Sequence, residues 1–199
     1  RDYYASRGLG DVYKRQHRAP AKEAELRAYL TAAGFDPEAP LLLGGSTWPG
    51  EDVFLLAVYR KARARNPRLR LVLAPRHFEK ADGVETAILA AGFPCLRRSK
   101  APAPARQPQD AVLLADTTGE LMGFYGLAQT VFVGKSLCEH GAQNMIEPCL
   151  CGCATVVGPY TENFRPVMSD LLAQDAIVQA KDRPDLEAVS YTHLTLPTN

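Results

Sequence analysis

The stretch that decides the fold runs from Asp116 to Phe164 and reads DTTGELMGFYGLAQTVFVGKSLCEHGAQNMIEPCLCGCATVVGPYTENF. It combines two helix starts punctuated by glycine, two short apolar segments of strand length and one Glu on a short predicted helix. The first N–H groups of a helix have no intrahelical partner, so a helix start favours an anion. The stretch therefore predicts a nucleotide crevice, surrounded by backbone N–H groups and one carboxylate, at the edge of an α/β sheet.

On both sides of this stretch, apolar segments of strand length alternate with helical patterns. The predicted strands are Leu41–Gly44, Leu69–Ala74, Pro94–Leu96, Ala111–Ala115, Thr130–Val133, Ala154–Val157 and Ala176–Gln179. The predicted helices are Lys22–Ala33, Glu51–Arg65, Phe78–Ala91, Glu120–Ala128, Asn144–Cys151 and Phe164–Ala173. Most strands are continuously apolar, which is typical of strands buried on both faces of a parallel sheet. The pattern predicts an α/β fold with a Rossmann-like, doubly wound parallel sheet.

Size and composition agree with one globular domain. The 199 residues are 46% hydrophobic and 23% charged, and the net charge of +1 gives no reason to expect nucleic-acid binding. No apolar run reaches the roughly 18 residues that a membrane span needs, and the first residues lack a signal-peptide pattern. The odd number of cysteines, five, favours reduced thiols in a cytoplasm.

The two ends lack the periodicity of the rest. We therefore expect a domain at 17–189, flanked by tails at 1–16 and 190–199. Flexible tails account for this pattern, since chain ends are often poorly ordered. Foreign sequence joined to a gene fragment accounts for it equally.

The segment Gly44–Asp52, GGSTWPGED, follows the first predicted strand. Its two leading glycines would let the backbone approach a ligand closely. Ser46 or Thr47 can cap the next helix, whose free N–H groups favour an anion. A simple β–α turn with a cap explains the same residues, and taken alone the segment favours that interpretation.

The segment Leu73–His77, LAPRH, ends the second predicted strand. The planar fork of Arg76 can meet a phosphate there, and Pro75 stiffens the turn. A cation at a helix start is disfavoured by the helix dipole, which indicates a functional role for Arg76 over a solvated one. His77 fits a surface imidazole as well as a catalytic one.

The segment Asp116–Leu121, DTTGEL, follows another predicted strand. Thr117 or Thr118 can cap the helix behind it and so direct backbone donors toward a phosphate. Glu120 is equally compatible with a ligand contact and with a favourable acid in the first helical turn.

The segments Gly134–Ser136, GKS, and His140–Pro148, HGAQNMIEP, follow the predicted strand Thr130–Val133. Asn144 can cap the short helix that begins near it, while its donors face a phosphate. Glu147 is placed to accept hydrogen bonds from a ribose diol, and its apolar neighbours argue against a merely solvated role.

The cysteines at 149, 151 and 153 lie close to Cys138 and His140 in sequence and raise the question of a metal site. Zinc sites usually space paired cysteines by two to four residues, so we expect no metal here. Small side chains in a tight helix–sheet contact explain the pattern better.

Taken in order, these motifs resemble the C-terminal half of the 3-deoxy-D-manno-octulosonic acid (Kdo) transferases of lipopolysaccharide synthesis. GGSTWPGED resembles the family's GST-x-x-GE/D segment, and LAPRHFEK resembles its APRH-x-E segment. DTTGELMGFYGLAQTVFVGKSL resembles DTMGEL…FYG-x-A…FVGGSL, while HGAQNMIEP and VVGPYTENF resemble HGGHN-x-x-EP and GP-x-x-x-NF. Each motif is weak alone, but together they cover the chain from about Arg18 to Val189.

The resemblance implies the donor-binding domain of a two-domain glycosyltransferase of the GT-B type. Such an enzyme transfers Kdo from its donor substrate CMP-Kdo to the lipid A precursor, without a cofactor, at the cytoplasmic face of the bacterial inner membrane. Its N-terminal domain binds the acceptor, carries the membrane-facing surface and supplies the general base. We therefore expect this chain to be a fragment that binds nucleotide but has no catalytic base of its own.

The resemblance also implies site residues. The CMP contacts carried over are Pro75, Arg76, Thr118, Gly119, Glu120, Asn144, Met145, Ile146 and Glu147, of which Glu147 holds the ribose. Further candidate donor contacts are Ser46, Thr47, Ser136 and His140.

The chain departs from the family motifs at Thr118 (usually Met), Lys135 (usually Gly) and Gln143 (usually His). Gln143 can still hydrogen-bond but cannot carry a proton at neutral pH. Two alternatives stay open beside the Kdo transferase: a GT-B domain that uses a UDP-linked sugar, and a non-catalytic nucleotide-binding module.

Overall fold

The computed structural model describes residues 19–100, 107–138, 140–186 and 188. The strands are β1 (Leu41–Thr47), β2 (Arg70–Pro75), β3 (Cys95–Arg97), β4 (Val112–Leu114), β5 (Thr130–Val133), β6 (Ala154–Val157) and β7 (Val178–Gln179). The main helices are α1 (Pro20–Ala32), α2 (Glu51–Arg65), α3 (Ala81–Ala90), α4 (Leu121–Tyr125), α5 (Ile146–Leu150) and α6 (Arg165–Ala173). Short 3₁₀ turns lie at Phe78–Lys80, Arg98–Lys100 and Glu162–Phe164.

These strands form one parallel sheet in the order β3-β4-β2-β1-β5-β6-β7. Strand β1 pairs with β2 on one side and with β5 on the other, so the topological switch point lies between β1 and β5. Ligands of open α/β sheets bind outside the carboxyl ends of the strands at such a point. The predicted doubly wound parallel sheet is confirmed.

The core has two layers, one on each face of the sheet, because successive strand residues point to opposite faces. In the first layer, Leu43 of β1 clusters with buried residues of α1 and α4 and with Met168 of α6. In the second layer, Leu42 of β1 clusters with Leu55 of α2 and Ile88 of α3. Both faces of the strands are covered, which explains their continuously apolar sequences.

The glycines of β1 make room for the helices that pack on the sheet, an explanation that needs no ligand. A Cβ atom at Gly44 would lie 2.6 Å from Cδ1 of Leu55, on the α2 side of the sheet. A Cβ atom at Gly45 would lie 3.3 Å from the hydroxyl oxygen of Tyr125, on the α4 side. The missing side chains therefore let α2 and α4 pack closely on β1.

Two predicted helix caps are wrong. Ser46 and Thr47 lie inside β1, and α2 begins after Gly50, which has a φ of +90° and no side-chain cap. Helix α4 begins after Glu120, so neither threonine of the DTTGEL segment caps it. In both places the helix begins later than the local pattern indicates, because the backbone first stays extended or forms a turn for several residues.

The cysteines at 149 and 153 pack against the first layer of the core, as the packing interpretation predicts. The thiol of Cys149 lies 3.5 Å from the carbonyl oxygen of Ala176, and that of Cys153 lies 3.1 Å from that of Tyr125. Within the described ranges, no group of three or more His, Cys, Asp and Glu side chains could hold a metal ion. Nor does any helix of these ranges have the length and apolar character that crossing a bilayer requires. The predicted tails at 1–16 and 190–199 lie outside the described residues.

Candidate functional site

A cavity of about 170 Å³ opens at the carboxyl ends of β1, β2 and β4. Its lining includes five of the predicted CMP contacts, which are Pro75, Arg76, Thr118, Gly119 and Glu120. Ser46, a further candidate donor contact, also lines it. The three strand ends are neighbours in the sheet although they lie far apart in sequence, and this brings the residues together. We call this group of residues the phosphate wall, after the contact that the sequence predicts for it.

Arg76 is the exposed cation of the phosphate wall. Its backbone N–H donates to the carbonyl oxygen of Thr47 at 3.0 Å, which fixes the end of β2 beside the end of β1. Its guanidinium group makes no hydrogen bond or ion pair with any residue in the described part of the chain. The planar fork of donors is therefore free to meet an anion in the cavity.

Glu120, by contrast, is 7% exposed and its carboxylate is already paired. Arg98 donates to it from Nε at 3.1 Å and from Nη2 at 2.8 Å, and the Thr117 hydroxyl donates to it as well. Arg98 also donates to Glu25 at 2.9 Å and lies 4.4 Å from the ring centroid of Tyr29. The carboxylate therefore anchors the loop, while the exposed backbone of Gly119, at a φ of +78°, faces solvent beside the cavity.

The segment 144–147 lies after β5 and leads into α5, and we call it the ribose wall after the contact that the sequence predicts for Glu147. The amide oxygen of Asn144 accepts a hydrogen bond from the N–H of Ile146 at 3.0 Å in the turn before α5, but α5 begins after Met145 without a side-chain cap, so the predicted cap is wrong. Met145 is fully buried in the first layer of the core and anchors this wall. None of the segment lines the 170 Å³ cavity, but α5 contacts α4, whose first residue lines it.

Glu147 carries the free carboxylate of the ribose wall. The residue is half-buried, and its carboxylate makes no hydrogen bond or ion pair with another described residue. Burial, and after it the negative charge of Glu147, raise the pKa of Tyr125 above its ordinary range. The hydroxyl of Tyr125 adjoins Gly45 of β1.

Two side chains hold the loop before the ribose wall. Glu162 accepts from the N–H of Gly141 at 3.0 Å and contacts Nδ1 of His140 at 3.0 Å, and this lowers its pKa to about 2. The amide of Asn163 accepts from the N–H of Ala142 at 2.8 Å and donates to its carbonyl oxygen at 2.9 Å. His140 is thereby held at the surface, with its ring largely exposed.

The two remaining candidate donor contacts, Ser136 and Thr47, are buried. The hydroxyl of Ser136, fully buried, donates to the carbonyl oxygen of Val133 at 2.6 Å and accepts from the N–H of Gly158 at 2.9 Å. Thr47 is 3% exposed and lines a separate cavity of about 530 Å³. That cavity is mostly apolar, with Trp48, Val53 and Val84 in its wall, and it lies on the α2 and α3 side of the sheet.

Glu51, for which the sequence predicts no role in the site, is fully buried. Its carboxylate accepts from the N–H groups of Trp48 at 2.8 Å, Lys135 at 2.8 Å and Leu137 at 3.0 Å. Burial raises its pKa, and these backbone donors oppose the rise. Glu51 thus joins the loop after β1 to the loop after β5. The sequence feature that could have identified it as buried is its position on the apolar face of α2, one turn before Leu55.

Comparison with known proteins finds relatives in the family that the sequence motifs resemble. A 3-deoxy-D-manno-octulosonic acid transferase of Bordetella pertussis is 37% identical over 163 residues, which are 80% of this chain and 38% of that protein. The protein of the same name from Haemophilus influenzae is 33% identical over 148 residues, 74% of this chain and 34% of its own length. The chain thus spans little more than a third of these relatives. No protein-family model matches the chain.

Among solved structures, the C-terminal CMP-Kdo binding domain of WaaA from Acinetobacter baumannii superposes with a TM-score of 0.78 at 26% identity. The match covers 89% of this chain and 91% of that domain, so the two have the same fold over nearly their whole length. In sequence and in fold, the chain is similar to the Kdo transferases, and the part that it matches is their C-terminal domain.

Proposed function

We propose that this chain is the donor-binding domain of a glycosyltransferase that transfers Kdo from CMP-Kdo to the lipid A precursor. The observations that support the proposal are a free cation and a free carboxylate in the two segments that the sequence assigns to the nucleotide. Arg76 belongs to the phosphate wall at the end of β2, and Glu147 belongs to the ribose wall in α5, after β5. A nucleoside monophosphate offers the complementary groups, a phosphate and a ribose diol.

The proposed chemistry assigns one task to each wall. The guanidinium of Arg76 neutralises the charge that develops on the phosphate as CMP leaves, which is electrostatic stabilisation by a preorganised donor. The carboxylate of Glu147 accepts hydrogen bonds from the two ribose hydroxyls. The backbone of Thr118 and Gly119 completes the phosphate wall, whereas Glu120 keeps that backbone in place through Arg98.

The acceptor and the general base belong to the part of the enzyme that lies outside the region matched in the relatives. We propose that this part binds the lipid A precursor at the inner face of the membrane, while the present domain holds the donor. The closest alternative is a domain of the same fold that binds a UDP-linked sugar. A non-catalytic nucleotide-binding module is the other.

Glu147→Ala tests the ribose contact. We expect the affinity for CMP to fall about tenfold to a hundredfold, because hydrogen bonds to a charged group contribute about 1.5–3 kcal/mol. The affinity for 2′-deoxy-CMP, which lacks one hydroxyl of the diol, should fall less. Isothermal titration calorimetry of the full 199-residue chain measures both.

Asp170→Ala, which removes an exposed carboxylate from α6, is the matched control and should change neither affinity. Equal losses for CMP and 2′-deoxy-CMP in Glu147→Ala would show that Glu147 does not hold the diol. Absence of CMP binding by the unmodified chain would contradict the proposed function as a whole.

A further inference from the structure

Phe78 is an exposed aromatic residue beside the cation of the phosphate wall. It follows Arg76 by two residues, lines the same cavity of about 170 Å³ and is 54% exposed. Its ring makes no contact with another aromatic ring in the described part of the chain. A single exposed apolar side chain is common on protein surfaces, so the position of Phe78 on the cavity, and not its exposure, is the informative observation.

The backbone that carries Phe78 is held on both sides. The 3₁₀ turn Phe78–Lys80 is closed by a hydrogen bond from its last N–H to the carbonyl oxygen of His77, at 3.0 Å. Before the turn, the ring of His77 meets that of Trp48 edge-on, with 5.4 Å between the centroids. After the turn, Ala81 is buried at the start of α3. These contacts fix the turn at the carboxyl edge of the sheet while the ring of Phe78 stays exposed.

The 170 Å³ cavity has both an apolar and a polar lining. The side chains of Pro75, Phe78 and Leu121 are apolar, whereas Arg76 and the loop 117–120 are polar. This combination suits a ligand that joins a flat ring to an anion. A nucleotide is such a ligand, because every base has a π face that stacks on an aromatic side chain. Since Arg76 and Phe78 belong to one short loop, a single nucleotide can contact both.

We propose that Phe78 binds the cytosine base of the donor by stacking on its face, while Arg76 binds the phosphate. This inference rests on the proposed function and adds to it a contact for the base, the part of the nucleotide to which that function assigns no residue. The APRH-x-E motif leaves the position of Phe78 open, so the ring adds affinity in this chain and does not select the base. Stacking depends on the face of a base and not on its hydrogen-bonding edge.

The test measures the affinities of CMP and cytidine by isothermal titration calorimetry, on the unmodified chain and on three variants of Phe78. Phe78→Ala should bind both ligands about fivefold to a hundredfold more weakly, and by the same factor, as expected for the loss of one stacked base. Phe78→Tyr keeps the flat ring and should bind both ligands within about twofold of the unmodified chain. Phe78→Leu keeps an apolar side chain without a ring face, so its affinities should lie below those of Phe78→Tyr.

Leu89→Ala is the matched control, because it truncates a comparably exposed apolar side chain on α3 that does not line this cavity. It should leave both affinities unchanged. Thermal unfolding of Phe78→Ala should match that of the unmodified chain, since the exposed ring contributes little to the fold.

Unchanged CMP affinity in Phe78→Ala would overturn the inference, and so would a loss for CMP without a loss for cytidine, which would assign Phe78 to the phosphate. Equal affinities in Phe78→Leu and Phe78→Tyr would exclude stacking. If the unmodified chain binds neither ligand, the proposed function fails first and the inference falls with it.

Discussion

Glu51→Ala is expected to destabilise the fold by roughly 3–5 kcal/mol, because it leaves one buried and two partly buried backbone N–H groups without an acceptor. Each unsatisfied buried donor costs about 1–3 kcal/mol, and part of that cost is recovered when water enters the space left by the side chain. The effect is large because the two loops that Glu51 joins are distant in sequence. It should be measured as the free energy of unfolding in urea.

Two further variants separate the carboxylate from the volume of the side chain. Glu51→Gln keeps the volume but turns an amide N–H toward backbone donors, so its loss should be smaller than that of alanine and still exceed about 1 kcal/mol. Glu38→Ala, at an exposed acid in the turn before β1, should change stability by less than about 0.5 kcal/mol. A loss below about 1 kcal/mol in Glu51→Ala would show that the two loops hold together without the carboxylate.

Arg76→Ala is expected to weaken CMP binding by about 2–3 kcal/mol, a loss of roughly thirtyfold to more than a hundredfold in affinity. The guanidinium has no partner among the described residues, so the change removes a ligand contact and leaves the fold intact. Arg76→Lys keeps the charge and loses the fork, so its affinity should lie between those of the other two forms. Calorimetry gives the affinities, and thermal unfolding should show no change.

Cytidine provides the ligand control for this prediction, because it lacks the phosphate. Its affinity should be the same for Arg76→Ala and for the unmodified chain. Arg68→Ala, which removes an exposed arginine bound to Asp36 at the opposite end of β2, should bind CMP normally. A parallel loss of cytidine binding in Arg76→Ala would assign Arg76 to the base or to the fold instead of the phosphate.

Much of the fold could be predicted from local sequence. The bounds of β5, β6 and α2 agree with the prediction at both ends, because each is a strongly patterned segment next to a clear break. The phosphate wall could also be predicted, since carboxyl ends of neighbouring parallel strands meet at one edge. Pro75 and Gly119 lie on the same cavity for this reason, although they are far apart along the chain.

Contacts between distant loops could not be predicted in the same way. Glu51 binds the N–H groups of residues 135 and 137, and the local sequence around either loop does not predict this contact. The sequence predicted a ligand contact or a first-turn acid at Glu120, but the carboxylate of Glu120 pairs with Arg98, twenty-two residues away. The close packing of Leu55 on Gly44 forms only when α2 packs on the sheet, so the local sequence does not show it. Tertiary packing, and not local propensity, determines the contacts of each of these residues.

The central claim is that the crevice holds the nucleotide of a CMP-linked donor, and a direct calorimetric comparison of CMP with UDP on the full chain tests it most directly. We expect CMP to bind at least about tenfold more tightly than UDP, a difference of about 1.4 kcal/mol. Tighter binding of UDP, or no binding of either nucleotide, would contradict the claim.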